Sequence, residues 1–435
     1  MKLFVLYILR VISIRIIRRH RPFVVAITGT VGKSTTAHFL ADALGALYGG
    51  YNVGVSMHNY NGEYGVPLTI MQSSSPHSNP FLWISVFIKG IYLAFLAKEY
   101  PKYLVLEYGI DHPGEMDFLT SICEPDVSVI LAISRNHIEN FESYDQYVAE
   151  KFKLIPKSKR CIINADDSKI RRYISEHPHE HVLSFGKKSV EPVDFRAVQV
   201  QSTLEGLVFE VEMSDVCIPV KVPVVGSHQS YNILPVFAIA KFLDRDIREI
   251  TSVFEELVPQ KGRGSILHGV NDTTIIDGSY NGSHEAIAAG IEYLSELPDE
   301  LSKAVFIGDM RELGKDSEEL HRDIAERVIA LAPAFVVLVG DDMKKYVLTS
   351  LQESLGISRV FHFANSKIAG QRVRELLYEI EGPKVIFVKG SQHTIFLEEG
   401  IKEFLFDMRD SDNLCRQSPR WLKKKNEYFT LIAPI

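Results

Sequence analysis

At 435 residues the chain exceeds the roughly 250–300 at which one hydrophobic core stops growing, so two substantial domains are expected. A composition of 46% hydrophobic and 24% charged residues excludes collagen-like, mucin-like and disordered classes. The net charge of −7 conceals two basic ends: residues 1–21 sum to +6 and residues 414–435 to +4, leaving −17 for the middle.

Residues 1–21 carry Lys2, Arg10, Arg15, Arg18, Arg19 and Arg21 among Leu, Ile and Val. The segment is too short and too charged to span a bilayer and lacks a small-residue cleavage site, so it reads as a basic amphipathic helix. Two readings stand: a foothold on the inner face of an anionic membrane, or a helix packed on the body of the protein. The run Pro22–Thr28, rich in β-branched residues, predicts a strand, followed by a glycine-containing turn and a helix over Lys33–Leu47. A second apolar stretch, Phe81–Ala97, interrupted by Lys89 and Gly90, is expected to be a buried helix. Strands at Tyr103–Gly109, Val127–Ser134 and Cys161–Asp166, with helical stretches between them, give residues 22–185 an α/β pattern with a largely parallel sheet. Residues 193–225 alternate without helices and predict a small antiparallel addition. Helices follow near Ser230–Leu243 and Arg248–Leu257. The turn-rich Pro259-Gln260-Lys261-Gly262 then marks a boundary. Beyond it, strands at Thr273–Ile276, Ala304–Ile307, Phe335–Val339, Arg359–Phe363 and Lys384–Val388 predict a second, Rossmann-like α/β domain. The expected organisation is therefore 1–21, 22–258, 259–413 and a basic tail at 414–435. Cys123, Cys161, Cys217 and Cys415 form no CxxC pair, which argues against zinc and disulfides and for a cytoplasmic setting.

Gly29-Thr30-Val31-Gly32-Lys33-Ser34-Thr35 carries the strongest chemical signal. A GKS that follows an apolar strand and opens a helix places backbone N–H groups and a lysine around phosphates, with the serine hydroxyl available to Mg2+. The strict P-loop pattern wants glycine at position 27, where this chain has Ile27. Glu107 closes the second apolar strand, where a carboxylate can hold Mg2+. A glutamate at a strand end is as often a solvated surface residue. His137 follows the third strand and Lys151 falls on a helix expected over Tyr144–Ile155. Singly, a histidine is more often structural and a lysine a solvated charge.

Taken in order, GTVGKSTT, Tyr60–Ile70 (YNGEYGVPLTI), Leu106–Leu119 (LEYGIDHPGEMDFL), Asn136–Phe141 (NHIENF), Glu150–Ile155 (EKFKLI), Gly226–Ala240, Lys261–Ile266, Asp277–Ile287, Gly308–His321 and Val388–Gln392 resemble the motifs of the Mur ligases. The resemblance runs from about Phe23 to Phe404. It implies a central ATPase domain followed by a Rossmann-like ligase domain. ATP and Mg2+ are the implied cofactors, and an amide bond would be made through an acyl phosphate. The motifs are most similar to those of the member that adds D-alanyl-D-alanine to a UDP-N-acetylmuramoyl tripeptide. Partners would then be peptide and nucleotide-sugar small molecules, with no nucleic acid.

By the same resemblance, Gly29, Thr30, Gly32, Lys33, Ser34 and Thr35 bind the ATP phosphates, and Ser34, Glu107 and His137 ligate Mg2+ beside a carbamylated Lys151. Asn232 would meet adenine, Arg263 the phosphates and Asp277 the ribose, so that ATP would lie between the two domains. Asn281, Asp309, Glu312, Lys389 and Ser391 are assigned to the amine or peptide substrate, with helix capping and turn formation as the alternative. Departures from the family are Gly278 where a second acid is common, Gln392 where arginine is common, and Ser134-Arg135-Asn136 in place of a Gly-Pro turn. The 28 residues before Gly29 are also too few for a nucleotide-sugar domain. These put the substrate in question more than the ATP chemistry. A ligase of the folylpolyglutamate or poly-glutamate type, or a nucleotide-binding scaffold without activity, remain as other readings.

Overall fold

The structure is a computed structural model that describes residues 2–56, 60–76, 79–134, 140–188, 191–214, 216–392 and 394–431. The chain divides into two compact units. The first comprises 1–200, 208–222 and 228–257, and the second 201–207, 223–227 and 258–435.

The first unit holds, in chain order, α1 (Lys2–His20), β1 (Phe23–Thr28), α2 (Lys33–Tyr48), β2 (Val53–Val55), α3 (Gly65–Ile70), α4 (Pro80–Phe95), β3 (Tyr103–Glu107), α5 (Glu115–Ile122), β4 (Val127–Ile130) and α6 (Tyr144–Phe152). It continues through β5 (Arg160–Asn164), α7 (Ser168–Glu176), β6 (Val182–Gly186), β7 (Phe195–Thr203), β8 (Gly206–Met213), β9 (Val216–Val222), α8 (Ser230–Phe242) and α9 (Arg248–Glu255). Its sheet has the order β2-β3-β1-β4-β5-β6-β7-β8-β9. β1 pairs in parallel with β3 on one side and β4 on the other, so successive crossovers leave β1 in opposite directions. That switch point is where α/β sheets open a crevice at their carboxyl ends. The alternating strands after residue 193 form no separate layer. β7 joins β6 in parallel, and β8 and β9 extend the same sheet. The strands near β1 are buried on both faces and so read as continuous apolar runs. The long, outward-alternating β7 is covered on one face only.

One expectation is overturned. α4 is a helix, capped by the Asn79 side chain, which accepts from Phe81 N and Leu82 N, but it is not buried. Val86, Gly90, Leu93 and Ala94 face the core, while Phe81, Ile84, Ile88 and Phe95 stand in the open. Ser85 and Lys89 lie on the exposed side, but two polar residues mark a face only weakly in so apolar a stretch.

The second unit holds β10 (Ser265–Gly269), β11 (Thr273–Asp277), α10 (His284–Glu296), β12 (Ser302–Gly308), α11 (Ser317–Leu331), β13 (Phe335–Val339), α12 (Asp341–Tyr346), α13 (Leu348–Leu355), β14 (Val360–Phe363), α14 (Ser366–Glu379), β15 (Lys384–Lys389), α15 (Leu397–Ile401) and α16 (Pro419–Leu431). The sheet order is β10-β11-β15-β12-β13-β14. Only β10 runs antiparallel, against β11. Two cores fill its two faces, one under α10 and α11 and one under α14 and α15. The basic tail is part of this fold. Arg416 pairs with the buried Glu398 and donates to the carbonyls of Ser279 and Tyr280, and Lys425, 1% exposed, pairs with Glu398 and Glu399.

Candidate functional site

The loop between β1 and α2 leaves the sheet at the switch point. Gly32 caps α2 with φ +87°, and a Cβ there would meet the Asn232 Oδ1 at 2.2 Å. Gly29 sits against Leu131, whose Cβ a side chain at 29 would approach to 2.8 Å. Glycine is required at both positions, by backbone conformation at the first and by close approach at both. Thr30 ties the loop to the end of β4, its N–H donating to Ala132 O and its hydroxyl exchanging bonds with Ser134. Thr35 lies partly buried in the first turn of α2.

Two amines converge on this loop. Lys33 Nζ donates to Gly29 O (2.8 Å) and Thr30 O (3.1 Å), and Lys151 Nζ reaches the same Gly29 O at 3.3 Å. Lys151 is 1% exposed and lies over the Tyr147 ring at 4.7 Å. Burial first, and the neighbouring Lys33 second, hold its pKa well below the usual lysine range, with Asp111 and Glu115 opposing. Beside them Ser34 Oγ donates to Glu107 Oε2 at 2.9 Å. Glu107 is buried at the end of β3, its own N–H held by Ser56. Hydroxyl and carboxylate are hard oxygen donors, and adjacent corners of an octahedron with arms of about 2.05 Å are also about 2.9 Å apart. The pair therefore fits Mg2+. Among the described residues no cluster of three His, Cys, Asp or Glu side chains forms a metal site, and His137 lies outside the described residues. Asn232, on α8, accepts from Thr36 and donates to Gln229. It stands against the loop between β1 and α2 itself. Gln229, in the GSHQSYN stretch, was not singled out from sequence, and only its bond to Asn232 reveals it.

In the second unit the remaining candidates gather at the carboxyl ends of the adjacent strands β11, β15 and β12. Asp277 is fully buried. Its Oδ1 accepts from Ser279 N, whereas Oδ2 has no partner among the described residues, and burial pushes its pKa up. Asp309 accepts from Met343 N and Arg311. Ser391, 3% exposed, accepts from Arg311 N and donates to Gly282 O. It thereby fastens the three loops together. Lys389 Nζ donates to Gly278 O, and burial, then Arg263, lowers its pKa to about 8. Arg263 lies over the Tyr280 ring at 4.4 Å. Asn281 and Glu312 are exposed, the latter at φ +65°. His321, quoted only as the end of a motif, is buried. Its Nε2 accepts from Met310 N and its Nδ1 faces Ser317 O.

Residues 90–240 match the Mur ligase middle domain, and residues 262–392 match the Mur ligase glutamate ligase domain. A UDP-N-acetylmuramoyl-tripeptide–D-alanyl-D-alanine ligase from Rickettsia prowazekii is 27% identical over 378 residues, covering 85% of this chain and 75% of its own length. The enzyme of the same name from Escherichia coli is 25% identical over 376 residues, covering 85% and 74%. The solved structure of MurF ligase from Thermotoga maritima in complex with ADP shares the fold, with a TM-score of 0.73 at 21% identity over 93% of this chain and 84% of that one. Two consecutive matched domains, with the motifs falling in order along both, show that the chain belongs to the Mur ligase family.

Proposed function

We propose that this chain is an ATP-dependent, ADP-forming ligase that adds D-alanyl-D-alanine to a UDP-N-acetylmuramoyl tripeptide, the reaction for which its relatives are named. The observation that carries this reading is the convergence of Lys33 and Lys151 on Gly29 O, beside the Ser34–Glu107 pair. Two amines and a helix N-terminus aimed at one loop suit a triphosphate. The γ-phosphoryl passes to the substrate carboxylate, releasing ADP. The amine then attacks the acyl phosphate, and the tetrahedral intermediate expels inorganic phosphate. Lys33 offsets the charge spread over the transferring phosphoryl oxygens. Ser34, Glu107, His137 and a carbamylated Lys151 would hold Mg2+, which when bound supplies further positive charge at those oxygens.

Carbamylation requires a neutral amine, which attacks CO2 and loses a proton to become an anionic carbamate. Burial beside Lys33 keeps the Lys151 amine neutral at a pH where an exposed lysine is charged. The carbamate then offsets Lys33 in place of repelling it. The roles implied for Asn232, Arg263 and Asp277 toward the nucleotide belong to the same proposal. In the second unit, Asn281, Glu312 and Lys389 are the groups proposed to meet the incoming dipeptide, with Asp309 and Ser391 holding their loops. A cytoplasmic location, and a peripheral foothold of residues 1–21 on the inner membrane surface, complete the reading.

Purified protein given ATP, Mg2+, UDP-muramoyl tripeptide and D-Ala-D-Ala is expected to release phosphate only when both acceptor and amine are present. No release with that pair would sink the proposal.

A further inference from the structure

Two helices of the first unit lie side by side and leave a broad apolar face uncovered. Arg15 of α1 stacks over Phe95 of α4 at 5.3 Å, Arg19 donates to Ala97 O, and His20 donates to Leu93 O. Nearer the middle, a Cβ on Gly90 would come within 2.9 Å of Ile12, so the two helices touch closely and run in roughly the same direction. Each buries one stripe: Leu6, Leu9, Ser13 and Ile16 on α1, and Val86, Gly90, Leu93 and Ala94 on α4.

The other stripes face outward. On α4, Phe81, Ile84, Ile88, Ile91 and Phe95 recur at helical spacing, with Phe81 78% and Ile88 63% exposed. On α1, Phe4, Tyr7 and Val11 continue along the same stripe into Arg15 and Arg18. Single exposed apolar residues need no explanation, but a contiguous set of this kind marks an interaction surface. Around its carboxyl-terminal end stand the exposed cations Arg18, Arg19, Arg21, Lys98 and Lys102, against one exposed acid, Glu99.

That charge selects the occupant. A two-fold contact between copies would set the same patch against itself and so offer its cations no anionic partner beyond Glu99, whereas interface cores are depleted of charge. An anionic lipid surface answers both features. Apolar side chains sink to the boundary of headgroups and acyl chains, while arginine and lysine stems lie along the apolar surface with their heads among the phosphates. Among the described residues no helix is long and apolar enough to cross a membrane.

We infer that α1 and α4 together form a docking surface for an anionic lipid bilayer, lying in its interface, with α4 contributing most of the apolar area. The inference extends the foothold proposed for residues 1–21 and is independent of the ligase chemistry.

Full-length protein is floated with vesicles of phosphatidylcholine, with and without phosphatidylglycerol, while phosphate release is assayed in parallel. Binding is expected only with phosphatidylglycerol, and is expected to weaken as salt shortens the Debye length. Replacing Arg15→Gln and Arg18→Gln together should lower partitioning about 30-fold, at about fivefold per cation. I88E should reduce binding further, and neither change should alter phosphate release, since these residues lie outside the catalytic machinery. Absence of flotation with phosphatidylglycerol vesicles would overturn the inference. So would binding indifferent to lipid charge, or a dimer in solution that I88E dissociates. Vesicle binding without phosphate release would uphold the surface and count against the ligase reading alone.

Discussion

The two loop clusters occupy corresponding places in their sheets, at the carboxyl ends of parallel strands, yet they are held in opposite ways. In the first unit the loop after β1 is fixed by backbone, with Gly29 and Gly32 pressed against Leu131 and Asn232, and side-chain amines are brought to its carbonyls. In the second unit side chains are spent on holding loops. Asp309, Ser391 and His321 all bond backbone N–H groups of neighbouring segments. The first arrangement concentrates positive charge where phosphates would lie, and the second sets the shape of a surface. Substitutions in the first unit should therefore act on chemistry with little effect on folding, and those in the second on substrate affinity and stability together.

The largest effect is expected for Lys33→Ala. Removing a group that offsets transition-state charge costs about 10²–10³ in rate, so phosphate release should fall to the upper end of that loss with the unfolding temperature unchanged. A rate within tenfold of the parent would break the assignment of charge to this loop. Lys151→Met sharpens the point, because the same residue carries both a cost and a function. Release should fall about 10²-fold, while the melting temperature rises relative to parent protein freed of CO2, since there a buried amine with a depressed pKa is replaced by an apolar chain of similar length. In the parent, intact mass measured in bicarbonate should show the addition of one CO2, lost in the variant. Ser391→Ala tests the second unit. It strands Arg311 N and Gly282 O, should destabilise by about 1–2 kcal/mol, and should raise KM for the dipeptide more than KM for ATP.

Much of this contrast was legible in the sequence wherever a short segment carries its own signal. The β-branched run of β1 followed by GKS specifies strand, loop and helix locally, and the strands β11, β12, β13 and β15 announce themselves as apolar runs. What was not legible depends on distant partners. Val53–Val55 and Ser265–Gly269 become strands only because a neighbour pairs with them. α4 is apolar apart from Ser85 and Lys89, so its own residues mark the exposed side only faintly. Arg416 and Lys425 read only as part of a basic tail because their partners, Glu398 and Glu399, precede them by 18 to 27 residues in the chain. Lys151 is the clearest case. Its helix was predictable, but its burial, with Nζ reaching Gly29 O 122 residues away, was not.

The smallest effect is a pH dependence confined to the second unit. His321 is buried against Met310 N, Ser317 O, Asp309, Asp342, His284 and the Tyr346 ring, and burial holds its pKa below the ordinary 6.5. With Met310 N–H donating to Nε2, the ring is neutral and carries its proton on Nδ1, toward Ser317 O. A histidine with a depressed folded pKa binds its proton more readily when unfolded. Its contribution to stability is thus fully present above pH 6.5 and is lost as pH falls toward the folded value. Urea midpoints measured from pH 8 down to 5 should hold steady and then decline below about 6.5. In His321→Gln the amide oxygen can still accept from Met310 N, so the variant should lose roughly 1 kcal/mol at neutral pH and show a shallower decline. An unchanged decline in the variant would assign the acid sensitivity to other groups. It would also remove His321 from the set of side chains that fix the loop after β12.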